Sequence, residues 1–396
     1  MVVLLFIIIL LLLVVLDDKL GQKIYRSKAS RKEYPIRNSN LTLFTHGKQL
    51  FNDYFEAIEQ AKHHIHILFY IVKTDQISQQ FYDLLKQKAK EGVEVRLLVD
   101  WIGSFGLPKK VIRSLKESGI KFAYSHRPTF PYFFYKLNRR NHRKITVIDG
   151  KIGYIGGFNI GKEYIGQDPK FGDWRDYHLK VTGEGVQDLQ TQFFDDWHAA
   201  TKEKLFSKND YFPEIKSGTI PHKFIATNGH FLENDYVHLI EQTKKELIIG
   251  SPYFIPSKKV MKALLAALRR GVKVIILVPL KADHPFVKEA AFPYFYRLLK
   301  AGAQIYRFYK GFYHAKVIII DNEICHIGTA NFDNRSFFLN SEINCYIHDK
   351  QFVKTVRTAV NQDLSDSEKL TLDFWRTRTL WERGKESVSM FISGLL

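Results

Sequence analysis

Two segments of this chain carry the same polar residues at the same spacing. The first reads NHRKITVIDGKIGYIGGFN over residues 141–159, and the second reads YHAKVIIIDNEICHIGTAN over residues 313–331. Six positions match at a constant offset of 172 residues, five of them identically: His142, Lys144, Asp149, Gly156, Gly157 and Asn159 against His314, Lys316, Asp321, Gly328, Thr329 and Asn331. Other repeated stretches drift to offsets between 179 and 183. The chain is therefore predicted to consist of two related halves.

Each half shows the same succession of predicted strands and helices. Apolar runs at 66–72 and 247–254 indicate buried strands, and helical patterns follow them at 81–91 and 258–270. A β-branched strand, a second helix and the motif segment come next in both halves. Strands that alternate with helices predict an α/β fold with two similar domains. We expect these domains at residues 38–210 and 211–396, divided near a polar segment that Pro and Gly interrupt.

The amino terminus is strongly apolar. Residues 1–16, MVVLLFIIILLLLVVL, would span about 24 Å as a helix, short of a hydrocarbon core of about 30 Å. Basic residues accumulate between Lys19 and Lys32, which predicts a cytoplasmic location for the following domains. Because no basic segment precedes the apolar run, an uncleaved anchor is favoured over a cleaved signal peptide. We expect a transmembrane anchor at 1–16, a basic linker at 17–37 and a single-pass membrane protein.

The repeated motif supplies the groups that phosphodiester transfer requires. His and Lys two residues apart on a strand point to the same face. The transfer needs a nucleophile, an acid for the departing alkoxide and fixed positive charge on the nonbridging oxygens. His142 and His314 can supply the first two, because the imidazole pKa lies near physiological pH. The two motif lysines would supply the charge, and Asn159 and Asn331 would add amide donors. Both halves must then meet at one site.

Two carboxylates follow the motifs at the start of strand-like stretches. Asp176 lies in GDWRDYHLKVTG, residues 172–183, and Glu342 ends ANFDNRSFFLNSE, residues 330–342. A carboxylate against the far nitrogen of an imidazole fixes its tautomer and favours its charged form. We expect Asp176 and Glu342 to stand behind the two histidines, with surface ion pairs as the alternative.

These segments, with SPYFIPS at 251–257, resemble the phospholipase D superfamily over about residues 40–396. Within it the chain is similar to the bacterial cardiolipin synthases of the short type with one predicted anchor. The resemblance implies two α/β domains related by pseudo-twofold symmetry, with the active site at their seam. It also implies a phosphohistidine intermediate and no required metal or other cofactor. The expected reaction joins two phosphatidylglycerol molecules into cardiolipin and releases glycerol at the bacterial cell membrane.

The resemblance also assigns roles to the motif residues. It implies that His142 is the nucleophile and His314 the general acid, although the near symmetry of the two halves leaves the reverse assignment open. Asp149 and Asp321 complete the catalytic motif and would support it without reacting. The phosphoryl oxygens would be held by Lys144, Lys316, Asn159 and Asn331. Gly157 stands where many members carry Ser, and Thr329 takes that place in the second copy.

Charge alone does not choose the substrate. The chain has 59 Lys and Arg against 41 Asp and Glu, a net charge of +18, which attracts nucleic acid and anionic lipid alike. Aromatic and basic residues mix at 129–144 and 291–300, which suits a membrane interface but also single-stranded nucleic acid. The apolar amino terminus favours phosphatidylglycerol, anionic lipids and the membrane as partners, with no nucleic acid. A phospholipid hydrolase or a nuclease with the same intermediate is the alternative.

Cysteine usage adds one further expectation. Cys325 and Cys345 form no C-x-x-C pair, and no Cys/His cluster has the spacing of zinc ligands. A reducing compartment and metal-free chemistry are the simpler interpretation, with one disulfide between the two cysteines left open.

Overall fold

A computed structural model describes residues 2–205, 209–283, 287–374 and 389. Residues 206–208, beside the expected domain division at 210/211, lie outside the described residues, as do 375–388 and 390–396 of the expected second domain. The strands are β1 Ser30–Glu33, β2 Arg37–His46, β3 His64–Phe69, β4 Glu94–Asp100, β5 Lys121–Ser125, β6 Ile145–Ile148, β7 Ile152–Gly156, β8 Asp173–Gly183, β9 Ile220–Asn228, β10 Glu246–Gly250, β11 Phe254–Ile255, β12 Lys273–Pro279, β13 Gln304–Phe308, β14 Gly311–Tyr313, β15 Val317–Ile320, β16 Ile324–Gly328, β17 Phe332–Asp333, β18 Ser341–Ile347 and β19 Ser367–Leu370. The α-helices are α1 Val2–Ser27, α2 Gly47–Glu59, α3 Gln76–Lys90, α4 Lys109–Glu117, α5 Phe133–Asn138, α6 Gly185–Thr201, α7 Leu232–Gln242, α8 Lys258–Arg269, α9 Val287–Lys300, α10 Asn334–Phe338 and α11 Lys350–Ser365. Short 3₁₀ helices lie at Lys162–Ile165 and Asn209–Tyr211.

The two halves build mixed sheets of the same order. In the first half the strands run β5-β4-β3-β6-β7-β8-β2, with β3, β4 and β5 parallel and the later pairs antiparallel. The second half repeats this order and these directions as β13-β12-β10-β15-β16-β18-β9. The predicted α/β fold with two similar halves is therefore confirmed.

The β-branched runs of the motif segments lie inside these sheets. ITVI in β6 and VIII in β15 are buried on both faces, as expected for strands covered from both sides. One apolar cluster joins strands of both halves with α6 and α11 and includes Phe193 and Val353 of these helices. Two further clusters pack α2 and α3 on the outside of the first sheet, and α7 and α8 on the outside of the second. The motif segments are thus fixed between apolar layers.

The sheets are also joined directly. β2 pairs with β9 through Arg37 and His222, and β14 of the second half pairs in parallel with β8 of the first. An isolated bridge joins Asn141 to Ser341. These pairings bring the starts of both motif segments to the junction of the two halves.

The structure does not support the transmembrane anchor expected at residues 1–16. Within the described residues, no helix combines the length and the apolar character needed to cross a membrane. The uninterrupted apolar run ends at Leu16, and Asp17, Asp18 and Lys19 follow within the same helix α1. Cys325 and Cys345 do not form the disulfide that the sequence left open, because both are free and buried.

Candidate active site

Each motif histidine lies on a segment whose backbone is held by the opposite half. The backbone N–H of His142, just before β6, donates to the carbonyl of Ser341 at 2.9 Å. The N–H of His314, just before β15, donates to the carbonyl of Arg175 at 2.7 Å. Ser341 belongs to the second half and Arg175 to the first. The two histidines are therefore positioned at the seam by main-chain bonds across it.

The carboxylates behind the histidines are exchanged in the same way. Nδ1 of His142 lies 3.1 Å from both carboxylate oxygens of Glu342. Nδ1 of His314 lies 2.5 Å from Oδ2 of Asp176. Each pair is buried. With Nδ1 held by a carboxylate, Nε2 of His142 is the nitrogen left for a substrate, whereas Nε2 of His314 also has Nζ of Lys316 at 3.2 Å.

Glu342 has more partners than Asp176. It accepts hydrogen bonds from the hydroxyls of Thr329 at 2.6 Å and Ser336 at 2.9 Å, and from the amide of Asn340 at 3.3 Å. Burial would raise the pKa of Glu342, but the nearby charges of His142 and Lys144 and these hydrogen bonds hold it below its ordinary value. Glu342 is thus kept ionised behind His142.

The two motifs differ at one position, Gly157 in the first and Thr329 in the second. The carboxylates of Asp176 and Glu342 explain this difference. Thr329 donates its hydroxyl to Glu342, whose longer side chain leaves room for it. A Cβ on Gly157 would come within 2.0 Å of Oδ1 of Asp176. A serine or threonine at 157 is therefore incompatible with Asp176 in its present position.

Both motif lysines are buried in the same region. Lys144 donates from Nζ to the carbonyl of His142 at 2.8 Å, and Lys316 makes the corresponding bond to the carbonyl of His314. Lys316 Nζ also lies 2.7 and 3.2 Å from Nδ1 and Nε2 of His314 and 3.8 Å from Oδ2 of Asp176. An ammonium has three donors, so Lys144 can still bind a phosphoryl oxygen, and Lys316 can do so by exchanging its contact with the imidazole of His314.

Burial dominates the titration of these groups. It lowers the pKa of Lys144 to about 7 and that of Lys316 to about 8, and the mutual repulsion of the lysines adds to the shift of Lys144. Burial likewise lowers the pKa of His142 and of His314 to about 4, against the opposing effect of their carboxylates. Such pKa values keep both imidazoles neutral at pH 7.

The two asparagines border the site with different partners. Asn159 accepts the backbone N–H of Ile71 at 3.0 Å and donates to the hydroxyl of Tyr164 at 3.2 Å. The side-chain oxygen of Asn331 is buried and has no hydrogen-bond partner among the described residues. An unsatisfied buried amide oxygen at this position can accept a donor from a ligand.

Asp149 and Asp321 lie away from the histidines. They directly follow β6 and β15, and Asp149 lies about 16 Å along the extended chain from Lys144. Their carboxylates cap backbone N–H groups: Asp149 those of Lys62, His63 and His64, and Asp321 those of Lys244, Lys245 and Glu246. The positive φ of 51° and 52° at the two residues fits their tight turns. The structure therefore does not bring these two members of the predicted catalytic set to the site.

One cavity of about 810 Å³ contains both histidines and both asparagines on its lining. The ring of Tyr70 packs 5.0 Å from that of His142, and the ring of Trp174 packs 4.9 Å from that of His314. A second cavity of about 800 Å³ borders Tyr25 and contains neither histidine. The motif histidines and asparagines of both halves therefore face one shared cavity.

Several residues of the site were not singled out from the sequence. Tyr70 and Trp174 contact the imidazoles, and Ser336 and Asn340 hold Glu342. The last two belong to the polar segment 330–342, so their proximity to Glu342 in sequence was the available signal. No comparable signal marks Tyr70, which follows an apolar strand.

Known proteins resemble this chain over most of its length. A family model described as "Cardiolipin synthase, PLD-like domain" matches residues 54–195 and 236–364. The minor cardiolipin synthase ClsB of Bacillus subtilis is 46% identical over 381 residues, covering 96% of this chain and 95% of that protein. The cardiolipin synthase of Oceanobacillus iheyensis is 40% identical over 91% of this chain and 76% of its own length. A cardiolipin synthase of Staphylococcus aureus is 39% identical over 91% of this chain and 74% of its own length.

Solved structures show the same fold at low sequence identity. The phosphatidylserine synthase of Haemophilus influenzae superposes with a TM-score of 0.71 at 16% identity, covering 91% of this chain and 97% of that one. The polyphosphate kinase of Porphyromonas gingivalis superposes with a TM-score of 0.56 at 14% identity over 90% of this chain and 53% of its own. These likenesses concern the arrangement of strands and helices.

Proposed function

Because this chain belongs to the family of cardiolipin synthases with a phospholipase D-like domain, we propose that it joins two phosphatidylglycerol molecules into cardiolipin and releases glycerol. It is a phosphatidyltransferase of the phospholipase D superfamily. One structural observation supports this proposal and identifies the residues that would react. His142 and His314 border a single cavity, and each has Nδ1 against a carboxylate of the opposite half.

The first step of the proposed mechanism forms a phosphohistidine. Nε2 of His142 attacks the phosphorus of the donor lipid, and the bond from phosphorus to the glycerol oxygen breaks. That oxygen takes a proton from Nε2 of His314 and leaves as glycerol. An anionic phosphodiester in the cavity raises the pKa of both imidazoles, which lets His314 carry this proton. Mapping the adduct would distinguish this assignment from the reverse one.

The second step returns both histidines to their starting forms. The terminal hydroxyl of a second phosphatidylglycerol attacks the phosphorus, and the bond to Nε2 of His142 breaks, leaving its electron pair on the imidazole. The hydroxyl proton passes to His314. Glu342 and Asp176 keep the reacting nitrogens oriented in both steps.

The remaining motif residues would stabilise charge or the fold. Lys144 and Lys316 lie beside the histidines and would neutralise the nonbridging oxygens in the transition state. Asn331 would contribute its amide, and Asn159 would position the wall formed by Ile71. Asp149 and Asp321 would act only on their turns, since their carboxylates cap neighbouring backbone groups.

The reaction is tested with purified protein in phosphatidylglycerol vesicles containing EDTA. We expect cardiolipin and glycerol in equal amounts, and almost none from His142→Ala or His314→Ala. Phosphatidic acid as the main product would instead identify a hydrolase, and cleavage of added oligonucleotide would identify a nuclease. Full activity only without EDTA would contradict the metal-free mechanism.

We also propose that α1 attaches the enzyme to lipid. The side chains of Leu4 to Leu16 are largely exposed, whereas the base of the helix is fixed: Asp17 accepts the backbone N–H groups of Phe134 and Tyr135 at 2.8 and 3.3 Å. Phe130, beside that contact, is 83% exposed. Single-pass insertion with the catalytic domains on the cytoplasmic side remains a prediction from the charge pattern. Deleting residues 1–16 should release the protein from floated vesicles.

A further inference from the structure

The catalytic cavity is symmetric at the motifs but not at its walls. Arg140 and Arg335 both line it. At the motif offset of 172 residues, Arg140 corresponds to Phe312 in the other half, and Arg335 corresponds to Glu163. The two arginines therefore have no basic counterparts across the seam, and the cavity has a distinct basic wall.

The guanidinium groups of Arg140 and Arg335 donate hydrogen bonds to the same short backbone segment, residues 137–139. Arg140 donates from Nη1 to the carbonyls of Leu137 and Arg139 at 2.5 and 2.6 Å. Arg335 donates from Nη2 to the carbonyl of Asn138 at 2.7 Å. Three consecutive carbonyls thus hold two like charges, and burial together with the nearby charge of Arg335 lowers the pKa of Arg140.

Nothing among the described residues neutralises Arg140 directly. Among the described residues Arg140 forms no ion pair within 4 Å, and Asp100, whose charge favours the charged form of Arg140, accepts the backbone N–H of Asn141 at 2.8 Å. The opposite wall differs, because Lys73 there is paired with Glu163, and Lys170 is a single lysine that donates to the carbonyl of Asp283 at 3.3 Å. Two adjacent, partly buried guanidinium groups facing a cavity form a binding site for a phosphate diester.

The basic wall lies on the side of His142. Arg140 precedes His142 by two residues, and the same Tyr70 that packs on His142 also interacts with Arg140. In the proposed mechanism the histidines and motif lysines hold the phosphorus under attack, so the arginines would serve a different phosphate. A second phosphatidylglycerol carries such a phosphate, three carbons from its attacking hydroxyl. A cavity of about 810 Å³ has the size of sites that enclose whole ligands of this scale.

We propose that Arg140 and Arg335 bind the phosphate of the acceptor phospholipid and thereby place its terminal hydroxyl against the phosphatidyl group on His142. This inference rests on the proposed phosphatidyl transfer. In that step the hydroxyl oxygen forms the new bond to phosphorus, the bond to His142 breaks, and the proton goes to His314. An acceptor without a phosphate would not use the two arginines.

The test compares two acceptors in the same phosphatidylglycerol vesicles. Free radiolabelled glycerol reacts with the phosphatidyl-enzyme to regenerate labelled phosphatidylglycerol, whereas the lipid acceptor gives cardiolipin. For Arg140→Gln and Arg335→Gln we expect the ratio of cardiolipin to labelled phosphatidylglycerol to fall at least about 10-fold, the effect of losing a charge-assisted hydrogen bond. Arg140→Lys should restore part of the ratio. Arg113→Gln, an exposed control outside the cavity, should keep the wild-type ratio.

The possible outcomes distinguish a failure of this inference from a failure of the proposed phosphatidyl transfer. If both reactions of the glutamine variants fall in parallel, or if neither falls, the arginines do not select the acceptor and the inference is wrong. If the wild-type protein regenerates no labelled phosphatidylglycerol and forms no cardiolipin, the proposed transfer itself is wrong.

Discussion

Glu342 lies 200 residues beyond His142, yet its carboxylate contacts Nδ1 of that histidine at 3.1 Å. Asp176 of the first half makes the reciprocal contact to His314 of the second. Neither half therefore contains a complete histidine–carboxylate pair. The exchange follows from the backbone bonds of His142 to Ser341 and of His314 to the residue before Asp176.

Neutralising the exchanged carboxylates should impair catalysis without unfolding the protein. Glu342→Gln places an amide that can donate a hydrogen bond against Nδ1 of His142, which stabilises the wrong tautomer. We expect turnover in phosphatidylglycerol vesicles to fall at least about 100-fold, and Asp176→Asn to act similarly through His314. Glu323→Gln, on the surface of the same half as Glu342, is the control. Wild-type turnover in Glu342→Gln would show that the carboxylate does not orient the histidine.

Gly157 should be intolerant of a side chain. A Cβ at this position would meet the carboxylate of Asp176 within 2.0 Å and displace it from His314. Gly157→Ser is therefore expected to lose as much turnover as Asp176→Asn. Gly106→Ser is the matched control, because a Cβ there meets no atom within 4 Å. An active Gly157→Ser enzyme would mean that Asp176 can move without consequence.

The pH dependence should have an acid limb from His142 and a decline at higher pH from His314 and the lysines. Burial lowers the pKa of His142 and of His314 to about 4, so kcat/KM rises as His142 becomes neutral and begins to decline as His314 loses the proton that it must donate. Burial also lowers the pKa of Lys144 to about 7 and of Lys316 to about 8, so positive charge is lost, and kcat/KM falls, above that range. Bound phosphate stabilises the charged lysines, and the alkaline limb of kcat should lie at higher pH than that of kcat/KM. A kcat/KM that stays constant to pH 10 would contradict the lysine assignment.

Arg143 should be important for stability. Its side chain points away from the site, pairs with Asp196 at 2.6 Å and donates to the carbonyls of Glu342 and Thr227 in the other half at 3.1 and 2.8 Å. Removing it leaves a buried carboxylate without its charge partner. Arg143→Ala should lower the free energy of unfolding by about 3–5 kcal/mol in a denaturant titration, against no change in Arg113→Ala. An unaltered midpoint would show that the junction of the halves does not depend on this pair.

Much of the fold could be predicted because the repeat preserves its spacing. Equal distances from His to Asn in both motifs imply the same pair of strands, and the sheets do follow the same order. Element ends were less predictable. Helix α3 begins at Gln76, five residues before the predicted start, because the side chain of Asp75 caps it through the N–H of Ser78. The predicted strand at 66–72 runs instead from His64 to Phe69, since the N–H of Ile71 binds Asn159.

The pairing of acids with histidines could not be derived from the sequence. Spacing suggested Asp176 and Glu342 as supporting residues, but their partners depend on which strands meet across the seam. Asp149 and Asp321 belong to the same sequence motif as the histidines, but an intervening strand places them at a distance from the active site. The amino-terminal helix illustrates a similar limit: apolar composition predicted an anchor, whereas no described helix has the length and apolar character to span a membrane.

If both halves contribute to one centre, each histidine should be indispensable. The decisive measurement is the turnover of His142→Ala and His314→Ala, assayed singly with saturating phosphatidylglycerol and compared with wild type. Each single variant should lose at least about 100-fold, because the nucleophile or the general acid is then missing from the only centre. If each variant instead kept about half of the wild-type turnover, the two motifs would be acting as separate sites, and a shared catalytic centre would be ruled out.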